Sequence, residues 1–411
     1  MGSSWEEHDL PDPTAAFLEA FPGRGPTHFS RAPGRVNLIG EHTDYNGLPV
    51  LPMALGREVR VLFASRDDTA IHVKNGEREF PPRTFHLSND IHHSPSGDWG
   101  NYLKAPIEAL ARRFEVLDGP LRGFDALVIS SLPVASGLSS SSALVIAMGQ
   151  AFLEANDLGL PVLDFAEQMA RAERYTGTQG GGMDQAISAG AREGHASRIE
   201  FDPLQMFETA IPDDWRFIVA HTLVRAEKSG PAQRAYNDRT RECKAALEIM
   251  GSVLKTTEGL QDTTVSYPRL LEAMCIQDLV DLGERHLDGV LLKRFRHVVT
   301  EGTRVYDAEQ SLKRGDPLTF GLLMNASHQS LREDYEVSSP ELDALVDLAL
   351  GAGAYGARLT GAGFGGCAVV LTDESRVEKV FGALAHGYYD GNPALKGPVD
   401  HALFVAEACG G

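Results

Sequence analysis

The chain has 411 residues, 43% of them hydrophobic and 23% charged, with a formal net charge of −19. That length exceeds what one hydrophobic core usually organises, so two domains are expected. The acidic excess excludes nucleic acid and anionic membrane as expected partners, because both require basic surface to displace counterions, but it leaves room for a nucleotide held by a local cluster of donors.

Cys243, Cys275, Cys367 and Cys409 are far apart and form no C-x-x-C pair. The first residues, MGSSWEEHDLPDP, are acidic and polar, and no run of about 18 apolar residues occurs. A reduced, cytoplasmic protein is therefore expected, and a monomer is the expected oligomeric state. The sequon Asn325-Ala326-Ser327 falls on a predicted helix and reads as a chance match.

Residues 1–27 are rich in Pro and Gly and predict a loose lead-in with one helix near Thr14–Phe21. Pro33-Gly34 marks a turn, Val36–Ile39 a short strand and Asn46-Gly47 a second turn, with Val50–Met53 beyond it. Glu41, His42, Asp44 and Tyr45 thus fall in a loop, where they either converge on a small polar ligand or face solvent. Glu58–Ala64 alternates Val59, Val61 and Phe63 inward as a half-buried strand, and Ala70–Lys74 reads as another. Asp98–Phe114 predicts a helix with Tyr102, Ile107, Leu110 and Ala111 on one side and Trp99 at its start.

The stretch Leu132–Met148, LPVASGLSSSSALVIAM, joins a predicted strand, Gly123–Ser130, to an Ala-rich helix over Ala143–Phe152. Four consecutive serines compete with the backbone inside a helix but suit its first turn. The first N–H groups of a helix lack intrahelical partners and sit at its positive end, so Gly137 and the serines read as a phosphate cradle; the same pattern also suits a plain N-cap. Leu163–Tyr175 is a predicted amphipathic helix containing Glu173. The turn Gly177–Gly182 then allows close approach to a ligand, and Met183-Asp184-Gln185 follows. The pattern restarts around Pro203–Pro212, with a strand at Trp215–His221 and a helix over Ser229–Met250 that carries Tyr236. Ser339 and Pro340 start a helix that stops at Gly351. Gly361, Gly363 and Gly366 satisfy G-x-G-x-x-G, but these glycines feed an apolar strand, Cys367–Leu371, whereas a dinucleotide fingerprint must open a helix.

Three stretches, RAPGRVNLIGEHTDYNGLPVLPMA (31–54), the serine loop and RLTGAGFGGCAVVL (358–371), resemble the three signature motifs of the small-metabolite kinase superfamily that includes galactokinase, homoserine kinase and mevalonate kinase. Glu41, His42, Asp44 and Tyr45 match the sugar-binding signature of the galactokinase branch. The resemblance implies an α+β fold of two lobes, residues 1–205 and 206–411, with the active site in the cleft between them. It implies ATP-dependent phosphorylation of the anomeric hydroxyl of galactose, with Mg²⁺ as cofactor.

Residue by residue, the resemblance makes Asp184 the carboxylate that accepts the hydroxyl proton. Arg35 would favour its ionised form and stabilise charge on the transferred group. Glu41, His42, Asp44, Tyr45, Gly181, Asp184 and Tyr236 would grip the sugar. Gly137, Leu138, Ser139, Ser140, Ser141 and Ser142 would hold ATP, with Trp99 and Tyr102 bordering the adenine unless Trp99 simply packs the helix start. Ser141 and Glu173 would hold Mg²⁺, a hard ion suited to oxygen ligands. Gly361, Gly363, Gly365 and Gly366 would let the third motif pack beside the phosphate loop. The sequence departs from the usual pattern at Ser136 and at Gly180–Gly182, which leaves N-acetylgalactosamine as an alternative sugar. Some relatives of this branch act as non-catalytic sugar and ATP sensors, a third reading.

Overall fold

The computed structural model describes residues 12–88, 90–115, 120–133, 136–177, 180–224, 230–257 and 265–411. Val134 and Ala135 of the serine loop, Thr178 and Gln179 of the glycine turn, Ser229 and the lead-in before Asp12 lie outside the described residues.

The N-terminal half runs α1 (Pro13–Ala20), β1 (His28–Asn37), β2 (Pro52–Ser65), β3 (Ala70–Asn75), β4 (Arg83–His86), α2 (Gly100–Arg113), β5 (Phe124–Ser130), α3 (Ser140–Ala155), α4 (Val162–Glu173), α5 (Met183–Gly190), β6 (His195–Glu200) and β7 (Gln205–Ala210). Strands β1 to β5 form a sheet of order β1-β2-β5-β3-β4, antiparallel except for β3 beside β5. In β2, Val59, Val61 and Phe63 are buried as expected, but so are Leu62 and Ala64. The strand is not half-buried, because Phe17 of α1 covers the opposite face of the sheet.

Pro33-Gly34 is not a turn; it lies inside β1 at a register shift between Pro33 and Arg35. A Cβ on Gly34 would stand 2.4 Å from Leu132 Cδ2 and 2.7 Å from the Leu138 carbonyl, so the glycine is needed where the strand presses on the serine loop. The β6–β7 hairpin was not legible either, since β7 is largely exposed and neither strand alternates cleanly.

The C-terminal half continues with β8 (Trp215–His221), α6 (Gly230–Thr257), α7 (Tyr267–Ala273), α8 (Ile276–His286), α9 (Gly289–Arg314), α10 (Pro317–Glu333), α11 (Pro340–Gly351), β9 (Gly356–Thr360), β10 (Cys367–Asp373), α12 (Val377–Leu384) and β11 (Leu403–Ala406). The helix start at Ser339 is as expected, its hydroxyl accepting the Leu342 N–H at 3.3 Å. A second, antiparallel sheet has the order β11-β8-β10-β9. Its side chains alternate between two cores: Phe217, Val219, Val369 and Leu371 join the core of the first sheet, while Ile218, Ala220, Ala368 and Val370 face the C-terminal helices. The two halves are thereby fixed against each other, with the third-motif glycines in the β9–β10 turn. A strand–glycine–strand hairpin there agrees with the rejection of a dinucleotide fingerprint.

Candidate active site

Three segments converge on one cleft. From β1 and the loop after it come Arg35, Glu41, His42, Asp44 and Tyr45; from α3, α4, α5 and the glycine turn come Ser142, Glu173, Gly181 and Asp184; from the C-terminal half come Tyr236 of α6 and Gly361 and Gly363. Gln185, Gln233, Ala362 and Phe364 also line it and were not singled out from sequence.

At its floor, Arg35 Nε donates to Asp184 Oδ1 at 2.8 Å, and Arg35 Nη1 donates to the Gly137 carbonyl at 2.7 Å. One guanidinium thus ties the carboxylate to the serine loop. Ser142 Oγ donates to Glu173 Oε2 at 2.7 Å and lies 3.4 Å from Asp184 Oδ2. Ser141 Oγ stands 3.4 Å from Glu173 Oε1, and Gln185 Nε2 donates to the same carboxylate. These contacts place Ser141, Ser142, Glu173 and Asp184 around the first turn of α3.

The serine loop is built as a helix start. Ser139 is the left-handed N-cap of α3 at φ 62°, and its buried hydroxyl has no partner among the described residues. Ser140, Ser141 and Ser142 form the first helical turn. Leu138 contributes backbone only: its side chain is in the core and its carbonyl accepts the Arg35 N–H at 3.1 Å. Gly137 and the third motif are in contact, since a Cβ on Gly361 would stand 2.7 Å from the Gly137 carbonyl. Gly363 at φ 77° passes over the Val337 carbonyl, Gly365 at φ 129° packs on Val224, and the Gly366 carbonyl accepts the Thr222 N–H.

On the opposite wall, Asp44 Oδ2 accepts the Gly181 N–H at 3.1 Å. Burial, then the neighbouring Asp184, raises the Asp44 carboxyl to about 6. A Cβ on Gly181 would fall 2.4 Å from the Tyr45 nitrogen, so the approach itself demands glycine. His42 sits at φ 64°. Its Nδ1 lies 2.9 Å from the Tyr45 hydroxyl, and the ring also lies against the Ala362 backbone. Burial, with His297 and Arg239 nearby, holds the imidazole well below its usual range, so it is neutral at pH 7. The Tyr236 ring stands 5.7 Å from that of His42 and 5.5 Å from that of Tyr45. Glu41 is committed to protein partners, with Arg358 Nη2 at 2.8 Å as an ion pair and the Gly361 N–H at 2.8 Å, although its carboxylate lines the cleft. Trp99 is apart from this lining; its indole N–H donates to the Pro81 carbonyl at 3.0 Å and its ring packs on Phe80 at the start of α2.

A glycine- and serine-lined helix start facing a ring of polar side chains, with a guanidinium–carboxylate pair between them, defines a small-molecule kinase site. The family comparisons agree. The galactokinase galactose-binding signature matches residues 15–65, the GHMP kinase N-terminal domain residues 101–191 and the GHMP kinase C-terminal domain residues 308–390. The galactokinase of Chloroflexus aggregans is 40% identical over 91% of each chain, and that of Mannheimia succiniciproducens 35% identical over 87% of this chain and 88% of its own. The crystal structure of Lactococcus lactis galactokinase complexed with galactose superposes with a TM-score of 0.82 at 30% identity, over 97% of both chains. Methanococcus jannaschii mevalonate kinase, 18% identical over 94% of this chain and 99% of its own, shares the fold with a TM-score of 0.63. The chain belongs to the galactokinase family, within the two-lobed α+β GHMP kinases.

Proposed function

We propose that the protein transfers the terminal phosphoryl group of ATP to the anomeric hydroxyl of D-galactose, giving galactose 1-phosphate and ADP. The observation that carries this reading is the Arg35–Asp184 pair, which lies between the galactose signature loop and the serine helix start in one cleft. The galactose in the Lactococcus lactis relative supports the choice of sugar over N-acetylgalactosamine.

In this mechanism the sugar lies against Asp44, His42 and Tyr236, whose acceptors and rings fit a neutral polyol. Asp184 accepts the proton of the C1 hydroxyl as the oxygen approaches the terminal phosphorus. Arg35 keeps Asp184 oriented and stabilises negative charge on the transferred group. The α3 N-terminus and the Ser139 hydroxyl, which has no partner among the described residues, hold the phosphates, and Gly361 lets the β9–β10 turn pack against Gly137 of that loop.

Ser141 and Glu173 suit Mg²⁺, because they offer adjacent hard oxygens and such an ion fills its remaining positions with water and substrate phosphates. Mg²⁺, when bound, neutralises phosphate charge. We take residues up to 205 as the lobe carrying sugar signature, serine loop and Asp184, and those from 206 as its partner. No helix among the described residues is long and apolar enough to cross a membrane. The test is sugar-dependent ADP release, with the phosphate located on C1 of the product; ADP release indifferent to galactose would leave the sensor reading.

A further inference from the structure

Helices α9 and α10 carry a buried polar network that the mechanism above does not use, and it ends on the sugar loop. Glu301 is fully buried, and its Oε1 accepts the Gly40 N–H at 2.9 Å, the Glu41 N–H at 3.3 Å and the Ser327 hydroxyl at 2.6 Å. Its Oε2 accepts Arg304 Nε at 2.8 Å. One turn before Glu301, His297 donates Nε2–H to the Glu41 carbonyl at 3.1 Å, with Nδ1 2.9 Å from the Ser330 hydroxyl. Arg358 joins the same set, donating to Ser327 Oγ at 3.1 Å and to the Asn37 carbonyl at 2.7 Å while pairing with the Glu41 carboxylate.

We infer that Glu301 is a positioning residue for the sugar, holding the Gly40–His42 corner in the conformation that presents Glu41 and His42 to the cleft. The inference rests on the galactokinase reading for the identity of the ligand. Both ends of this corner have left-handed backbone, Gly40 at φ 95° and His42 at φ 64°, a conformation that persists in a non-glycine residue only when its surroundings impose it. Helix α9 supplies that imposition. Val305, one turn after Glu301, fills the space where a Gly40 Cβ would come within 2.6 Å of Val305 Cγ2. Tyr335 lies between the two histidines, its ring 4.7 Å from that of His42 and 4.4 Å from that of His297.

The chemistry requires a carboxylate. One oxygen accepts three donors while the other faces a guanidinium, which an amide cannot reproduce without turning an N–H onto an N–H. Burial alone would raise this acid, but the Arg304 and Arg358 guanidiniums and the Ser327 hydroxyl outweigh it and hold it at about 2, so it stays ionised. Among the described residues the hydrogen-bond partners of Glu301 lie on the sugar loop, α9 and α10. Loss of the carboxylate should therefore be felt by the sugar and not by the nucleotide.

The test uses the full chain with Glu301→Gln and the milder Ser327→Ala, reading KM for galactose and for MgATP and the hydrogen exchange of a peptide spanning residues 37–47. Losing charge-assisted bonds to two backbone N–H groups should raise the galactose KM about tenfold or more in Glu301→Gln, with the MgATP KM changed less than about twofold. Exchange at Gly40 and Glu41 should quicken while α9 stays protected. Ser327→Ala should move both readouts the same way by less, and it carries the test if Glu301→Gln does not fold. Equal changes in both KM values, or unchanged exchange at residues 40 and 41, would overturn the inference. If the wild type phosphorylates another hexose, or none, the galactose assignment fails, and the exchange measurement still decides the role of Glu301.

Discussion

Arg35 and Asp184 are 149 positions apart in the chain and meet through a 2.8 Å bond from Nε to Oδ1 at the floor of the cleft. The pair also reaches the Gly137 carbonyl through Arg35, so the proposed base and the phosphate loop share one anchor. Asp184→Asn keeps the shape but cannot take a proton. Turnover is expected to fall by about 10²–10⁴, the usual worth of a general base, with a smaller change in the galactose KM. The buried Arg35 also loses its charged partner, so a drop in Tm should accompany the change. Near-normal turnover would show that Arg35 and electrostatic stabilisation suffice.

The nucleotide side should respond separately. Ser141→Ala and Glu173→Gln are expected to raise the MgATP KM several-fold, on the order of one lost hydrogen bond to a charged group, while leaving the galactose KM nearly unchanged. Ser142→Ala, which releases Glu173 from its 2.7 Å bond, should act in the same direction. Initial-rate measurements over both substrates decide this, and a change confined to the galactose KM would remove the loop from the nucleotide.

Asp44 gives the site a pH dependence. Burial and then Asp184 raise its carboxyl to about 6, so as pH falls from 7 through 6 it gains a proton and loses acceptor capacity. The kcat/KM for galactose should decline along that limb, and Asp44→Asn should flatten it while lowering activity throughout. The same shift bears on stability with the opposite preference. A carboxyl raised in the folded state contributes stability that is present below its unfolded value, near 4, and is lost as pH rises through about 6. Asp44→Asn should therefore improve Tm more at pH 8 than at pH 5, which paired melting curves would check.

Gly181→Ala tests the closest backbone approach in the site. A methyl group 2.4 Å from the Tyr45 nitrogen must push the Asp44–Tyr45 segment away. The expected cost is about 1–3 kcal/mol of stability, with a disproportionate rise in the galactose KM. Gly159→Ala, where a Cβ meets nothing within 4 Å and which does not line the cleft, is the control and should be nearly silent.

The helix start at the four serines was legible from local chemistry, but the roles of the site residues were not: serines there also suit a plain N-cap and a polar loop also suits solvent, and it is the resemblance of the three motifs that singles out Asp184, the serine loop and the sugar loop. Glu301, His297 and Tyr335 carry no such mark. On long amphipathic helices a Glu reads as a solvated face, and only the packing of α9 on the Gly40 corner shows that this one is buried. The Pro33-Gly34 bulge was misread for a related reason: both residues signal turns, and the strand continues through them because β2 pairs on either side. Trp99 illustrates the converse, an aromatic residue at a helix start whose indole N–H is taken by the Pro81 carbonyl just before β4.

Phosphorylation of galactose at C1 is tested most directly by kcat/KM for galactose, N-acetylgalactosamine and glucose, with the position of the phosphate on the product read by NMR. The match to the galactose-binding signature implies acceptors placed for an axial 4-hydroxyl, which an equatorial one would leave unpaired, so galactose is expected to exceed glucose by at least about two orders of magnitude and to yield the 1-phosphate. A preference for glucose or for N-acetylgalactosamine, or phosphate on C6, would contradict it.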